Sequence, residues 1–147
     1  MTDQPKSGFM TPDALRKIKS DKEFQEAQKA ASQEAKRAED EKHLMETFMA
    51  REIRPDTMER VMSAVQKAAE RGETHIQVFQ FPSTLCKDSG RAINNSDPNW
   101  PATLDGFPAR AFEFFDKNLR PHGFKLRAEI LNYPGGVPGD VGISLHW

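Results

Sequence analysis

The sharpest hydrophobic pattern in this chain lies near its C-terminal end. Phe124, Leu126, Ala128 and Ile130 alternate with Lys125, Arg127 and Glu129; after a glycine- and proline-rich stretch from Pro134 to Gly139, Val141, Ile143, Leu145 and Trp147 alternate with Gly142, Ser144 and His146. Alternation with period two is the signature of a strand with one covered face, so the two segments are read as an antiparallel hairpin. A further strand is expected at 74–81, THIQVFQF, with Ile76 and Val78 on one side, Phe79 and Phe81 on the other, and Pro82 as its stop. Apolar residues on both sides imply a strand covered on both faces.

Two segments carry helical spacing instead. Met58, Val61, Met62, Val65, Ala68 and Ala69 make one apolar face, opened by Pro55 and the capping pair Asp56 and Glu59 and closed by Gly72. Ala111, Phe112, Phe115 and Leu119, with Phe114 beside them, form the inner face of a second helix from about Pro108 to Leu119, which Pro121 and Gly123 end. Residues 83–107 are rich in Ser, Asn, Asp, Gly and Pro and read mostly as loop, with one short helix capped by Ser83. The order helix, strand, helix, strand, strand over 55–147 predicts a small α+β domain that folds independently. It is expected to be a two-layer sandwich with both helices on one face of the sheet and an antiparallel C-terminal hairpin.

Upstream the pattern changes. No proline falls between Pro12 and Pro55 and no glycine between Gly8 and Gly72, and about half of all charged residues lie in the first 54 positions. Residues 1–10 are read as a disordered N-terminus and 11–54 as a charged helical arm, with Thr11 as N-cap, Pro12 at the first helical position and a second capping pair, Ser20 and Glu23, where the helix could restart. Phe24, Ala27, Ala31, Ala35 and Ala38 give only a weak apolar stripe. Leu44, Met45, Phe48, Met49 and Ile53 are the bulky residues. These five either dock on the chain's own body or anchor a partner.

Composition narrows the function classes. A length of 147 residues suits one domain with an appendage, and 21 basic against 22 acidic residues remove the global positive field that non-specific nucleic-acid and membrane-surface binders use. No apolar run approaches the roughly 18 residues of a membrane span and no apolar leader follows Met1, so no membrane association and a cytoplasmic location are expected. With Cys86 alone, neither an internal disulfide nor a Cys-paired zinc site can form.

Candidate chemistry is sparse. Cys86 in LCKDSGR sits beside Lys87 and near Arg91, which would acidify a thiol nucleophile, with His75 as its base, but the spacing to Arg91 is one residue short of the loop with which a thiol phosphatase surrounds phosphate. Asn95, Asp97 and Asn99 imitate calcium ligands, yet Trp100 and Gly106 occupy the positions that need glycine and glutamate. Glu39, His43 and Glu46 share a helix face in a segment dense with charge, as chance alone would give. The glycine-rich stretch 133–142 joins two strands and lacks the lysine and following helix of a phosphate loop. No metal or cofactor is therefore expected.

Three functional readings follow. The leading one is a non-enzymatic protein–protein interaction or assembly module, in which a protein partner or a second copy of the chain meets Leu44, Met45, Phe48, Met49 and Ile53 of the arm and Trp100 of the long loop 91–107. Trp100 has the competing role of a plug folded back onto the sheet. The alternative is a small nucleic-acid-binding regulator using Arg110, Lys117, Arg120, Lys125 and Arg127, although Glu113 and Asp116 stand at i,i+4 from Lys117 and Arg120. The third is an enzyme with a Cys86 nucleophile.

Overall fold

The computed structural model describes residues 9–147, so positions 1–8 of the expected disordered N-terminus lie outside the described residues. The chain forms two compact units, one ending at Glu46 and one running Thr47–Trp147. Among the described residues no helix is long and apolar enough to cross a membrane.

The first unit is built from α1 (Pro12–Met49), a 38-residue helix whose last three residues belong to the second unit. Thr11 caps it, accepting the Ala14 N–H at 3.2 Å, and Asp13 in the first turn pairs with Arg16 at 2.8 Å. The helix runs through Ser20 unbroken, because strong helix formers continue on both sides and pairs such as Lys19–Glu23 (3.9 Å) bridge the place where a second cap would have to form. It ends at Met49, short of the expected Arg54, and none of its residues is buried.

The second unit contains α2 (Thr57–Glu70), β1 (His75–Pro82), the single turn α3 (Arg91–Asn94), α4 (Gly106–Asn118), β2 (Lys125–Ile130) and β3 (Asp140–His146). It is an α+β fold. The sheet is fully antiparallel with strand order β1-β3-β2, so the expected hairpin forms, paired from Lys125↔His146 to Ile130↔Val141, and its second strand becomes the centre of the sheet. That position explains why Gly142 and Ser144 are buried although the alternation places them on the solvent side: Leu131 folds back from the hairpin loop over Gly142, so closely that a Cβ there would come within 2.7 Å of it.

β1 departs from its expected form. Its register against β3 shifts between Gln77 and Phe79, so that Ile76 pairs with Leu145, Phe79 with Ile143 and Phe81 with Val141. Directly paired residues share a face, and the bulge therefore gathers Ile76, Phe79 and Phe81 on one side. The other side carries His75, Gln77 and Gln80, and the Gln77 amide donates to Gln80 Oε1 at 3.2 Å. Contrary to the sequence reading, the strand is apolar on one face only.

Both helices cover that apolar face. Met58, Val61, Met62 and Val65 of α2 pack with Phe115 and Leu119 against Leu145, while Phe112 also reaches the cluster of Phe81, Cys86, Ile93, Leu104, Val141 and Ile143. α2 is closed as expected by Gly72, whose N–H bonds to Ala69 O at 2.9 Å, but Asp56 at its start makes no side-chain cap. The segment 83–107 is more ordered than its composition suggests. The Asp88 carboxylate accepts the N–H groups of Gly90 (3.0 Å) and Ala92 (2.8 Å) to start α3, and Ile93 and Leu104 are buried in the core.

The segment just before Pro55 belongs to the same packing layer. The Phe48 ring lies 5.3 Å from Phe107 and 6.1 Å from Phe81. Arg110 of α4 donates to the backbone carbonyls of Met49 and Arg51. Gly106, at φ +54, allows α4 to begin against Met49, where a Cβ would meet the Met49 carbonyl at 2.8 Å. A fragment starting at Thr47 is thus expected to melt cooperatively and at a higher temperature than one starting at Pro55, by circular dichroism. In the same assay Phe115→Ala should cost about 3 to 5 kcal/mol and Phe48→Ala about 3 kcal/mol, whereas Lys117→Ala, on the exposed side of α4, should be near neutral.

Candidate functional site

α2 and α4 lie on the same face of the sheet without closing over it, and a cleft of about 900 Å³ remains. Half-buried Ile76 and Val78 of β1 and Leu126 of β2 lie at its base, with Val61 and Ala64 on the α2 side and Ala111 and Phe114 on the α4 side; Leu145 and Phe115 beneath them are closed off in the core, at 1% and 3% exposure. The physical origin of the opening is local. Each helix presents an alanine, Ala64 or Ala111, where a larger side chain would have filled the space between the two layers.

The mouth has a different chemistry. Arg51, Glu52 and Arg54 from the α1–α2 connection and Arg60 from α2 line it, and all four are exposed. Glu52 is the sole acidic lining residue and is already engaged, 3.8 Å from Arg110 Nε. Arg51 lies over the Phe48 ring at 5.6 Å. Among the described residues, Arg51, Arg54 and Arg60 have no carboxylate within 4 Å. Glu52, Asp56 and Glu59 are interleaved with the three arginines along the same segment, so its formal charge is balanced, and the arginines offer directed guanidinium donors rather than a net positive field.

The residues singled out from the sequence are distributed as follows. Leu44 and Met45 lie on α1 in the first unit, Leu44 being 68% exposed. Phe48 and Met49 pack within the second unit, and Ile53 lines the cleft. Trp100 is half-buried, its indole edge-on to Phe112 at 5.9 Å and 74°, with its carbonyl accepting from Thr103 Oγ1 at 2.7 Å. The structure gives it the plug's position, because the short helical turn Trp100–Thr103 points the ring into the core, and so removes it as an exposed recognition anchor.

The five basic residues do not form one patch. Arg110 is tied to the connection before α2, Arg120 pairs with Asp116 at 2.9 Å and lies over the Phe112 and Phe115 rings at 5.8 and 5.6 Å, and Lys117 is exposed on α4. Lys125 and Arg127 alternate with Leu126 and Ala128, which pack under the helices, and therefore stand on the opposite face of the sheet. Sequence adjacency suggested a continuous cluster; the sheet divides it.

Cys86 is 4% exposed in the core. Burial, reinforced by the nearby Asp88 charge, pushes its thiol up to about 11. His75 stands on the other face of the sheet, stacked on His146 with ring centroids 4.9 Å apart, and burial together with Arg127 holds His146 below the usual histidine range. No group of three or more His, Cys, Asp or Glu side chains converges to hold a metal among the described residues.

Sequence reasoning missed the cleft. The available signal was the alanines, Ala64 and Ala111, interrupting two otherwise bulky helix faces; Arg51, Arg54 and Arg60 are interleaved with Glu52, Asp56 and Glu59 and gave none. Comparison with family models, with curated proteins and with solved structures finds no match.

The Cys86 environment has a measurable consequence. A thiol whose folded pKa is raised from about 9 to about 11 contributes stability in full below the unfolded value and loses it as pH rises through that interval. The melting temperature of the native protein should therefore fall more steeply than that of Cys86→Ala between pH 9 and 11, and Cys86 should react with a disulfide reagent at neutral pH only after unfolding.

Proposed function

We propose that this protein is a non-enzymatic binding module, and that its second unit takes up an apolar ligand carrying an anionic group in the cleft between α2 and α4. The observation that carries this reading is the pairing of an apolar floor with three arginines that lack acidic partners among the described residues. Apolar walls supply affinity by removing hydrocarbon from water, and a guanidinium at the mouth adds a charge-assisted hydrogen bond that a water-filled cleft cannot match.

The non-enzymatic part of the reading rests on the character of the lining. The cleft contains no histidine or cysteine, its one carboxylate is held by Arg110, and Cys86 lies elsewhere with a protonated thiol. The partner-binding role expected of Trp100, Phe48 and Met49 passes to the cleft, since those three side chains are engaged in packing. Of the arm residues, Ile53 is the one that also lines the cleft.

The test uses 1-anilinonaphthalene-8-sulfonate, an apolar anion, titrated into the full chain and followed by fluorescence. Saturable binding near one to one is expected, weakening as salt screens the arginines. The combined substitution Arg51→Ala, Arg54→Ala and Arg60→Ala should weaken it about tenfold or more at unchanged melting temperature. No saturable binding, or binding indifferent to the three arginines, defeats the proposal.

A further inference from the structure

We propose that the outer edge of β2 pairs with β2 of a second copy of this chain, antiparallel and with Ala128 on the two-fold axis, so that the two sheets become one. The proposal is independent of the cleft, which none of Arg127, Ala128 and Glu129 lines.

The edge itself is the first argument. In an antiparallel ladder, opposed residues alternate between pairs that exchange both backbone hydrogen bonds and pairs that exchange none. Trp147 N–H bonds to Thr74 O at 3.0 Å and Ser83 N–H to Gly139 O at 2.8 Å, which assigns the odd-numbered residues of β3 to β1 and the even-numbered ones to β2. Leu131 N–H bonds to Asp140 O at 2.8 Å in the same phase. Lys125, Arg127 and Glu129 therefore turn their backbone groups toward β3. Leu126, Ala128 and Ile130 turn theirs outward, where no strand, helix or loop backbone among the described residues bonds to them. α3 lies on the helix side of β2, with Ile93 in the same apolar cluster as Ala128 and Ile130, and leaves the edge open.

An unpaired edge is a template for another strand, and proteins blunt it with a bulge, a proline or charge. β1, the other edge, carries the first two: its register shifts between Gln77 and Phe79, and it ends on Pro82. β2 has neither, and its register is unbroken from Lys125 to Ile130. It does carry charge, but in an order that complements itself.

That complementarity fixes the register. Lys125, Arg127 and Glu129 are exposed on the face away from the helices, and Leu126, Ala128 and Ile130 are half-buried toward them. With the axis at Arg127 or at Glu129, that residue opposes its own copy; at Leu126, Lys125 opposes Arg127; at Ile130, no ion pair forms. With the axis at Ala128, Arg127 of each copy faces Glu129 of the other and no like charges meet. The same axis satisfies the ladder, because Ala128 exchanges both bonds with its own copy and Leu126 exchanges both with Ile130. Arg127 and Glu129 then occupy the non-bonded sites, where opposed side chains approach most closely. A strand of another protein would satisfy the backbone equally well, but the charge order of β2 singles out a second copy. One short strand pair buries less than the roughly 1,200 to 2,000 Å² of a standard stable interface, so the dimer is weak and concentration-dependent.

Sedimentation equilibrium of the full chain from roughly 10 to 500 μM tests the proposal, and a monomer–dimer equilibrium is expected. Ala128→Pro removes an outward N–H and leaves the bonds to β3 intact, so it should abolish association while far-UV circular dichroism is retained. Arg127→Glu and Glu129→Arg, each alone, turn both opposite pairs into like pairs and should weaken association about tenfold or more. Mixed one to one, the two variants again place opposite charges at both facing positions, and the mixture should associate within about threefold of the native chain. A fault in folding would not be repaired by mixing. If Ala128→Pro does not fold, the mixing experiment decides. A chain that stays monomeric throughout, association that survives Ala128→Pro in a folded protein, or charge reversals that change nothing or are not restored by mixing overturns the proposal.

Discussion

The bulge in β1 between Gln77 and Phe79 decides which side of the sheet can be covered. One extra residue rotates Phe79 and Phe81 onto the face already carrying Ile76, and the polar residues His75, Gln77 and Gln80 gather opposite. Without it, two phenylalanines would stand on the face of Lys125 and Arg127, and a second layer would be needed to bury them. With it, a three-stranded sheet is stable with helices on one side, and Phe79 and Phe81 meet Phe48, which in turn packs on Phe107 of α4. The aromatic group closes one end of the helix layer, and Arg110 fastens the connection before α2 across it by bonding to backbone carbonyls.

The cleft is the complement of that arrangement. Phe115, Leu119 and Leu145 pack tightly with Met58, Met62 and Val65, so the two helices are held at a separation set by large side chains. Ala64 and Ala111 then leave room that close packing would otherwise eliminate. An unfilled apolar volume costs stability.

The opposite face has a quieter role. Lys125 and Arg127 on β2 are followed by one acidic residue, Glu129, Ser144 and Gly142 are small, and His75 stacks on His146. Burial, with Arg127 beside it, holds His146 below the usual histidine range.

Periodicity determined the fold class, the two amphipathic helices of the second unit and the C-terminal hairpin, because each is a local pattern whose period survives any tertiary context, and the lack of Pro and Gly among strong helix formers marked the long charged helix of the first. Capping chemistry was equally legible at Thr11 and Gly72. The face assignment of β1 was not, since a bulge is created by the partner strand and a strand read by itself is assumed to keep strict alternation. The basic residues at 110–127 were read as one cluster because neighbours in sequence were treated as neighbours on a surface, while the sheet stands between Lys117 and Arg127; of the two roles open to Trp100, packing against Phe112 and the core gives it the plug's. The cleft depended on tertiary structure altogether. The connection 51–54, α2, α4 and the three strands come from segments far apart in the chain, and only the packing of two helices on one three-stranded sheet brings a half-open apolar volume and the arginines beside it to the same place.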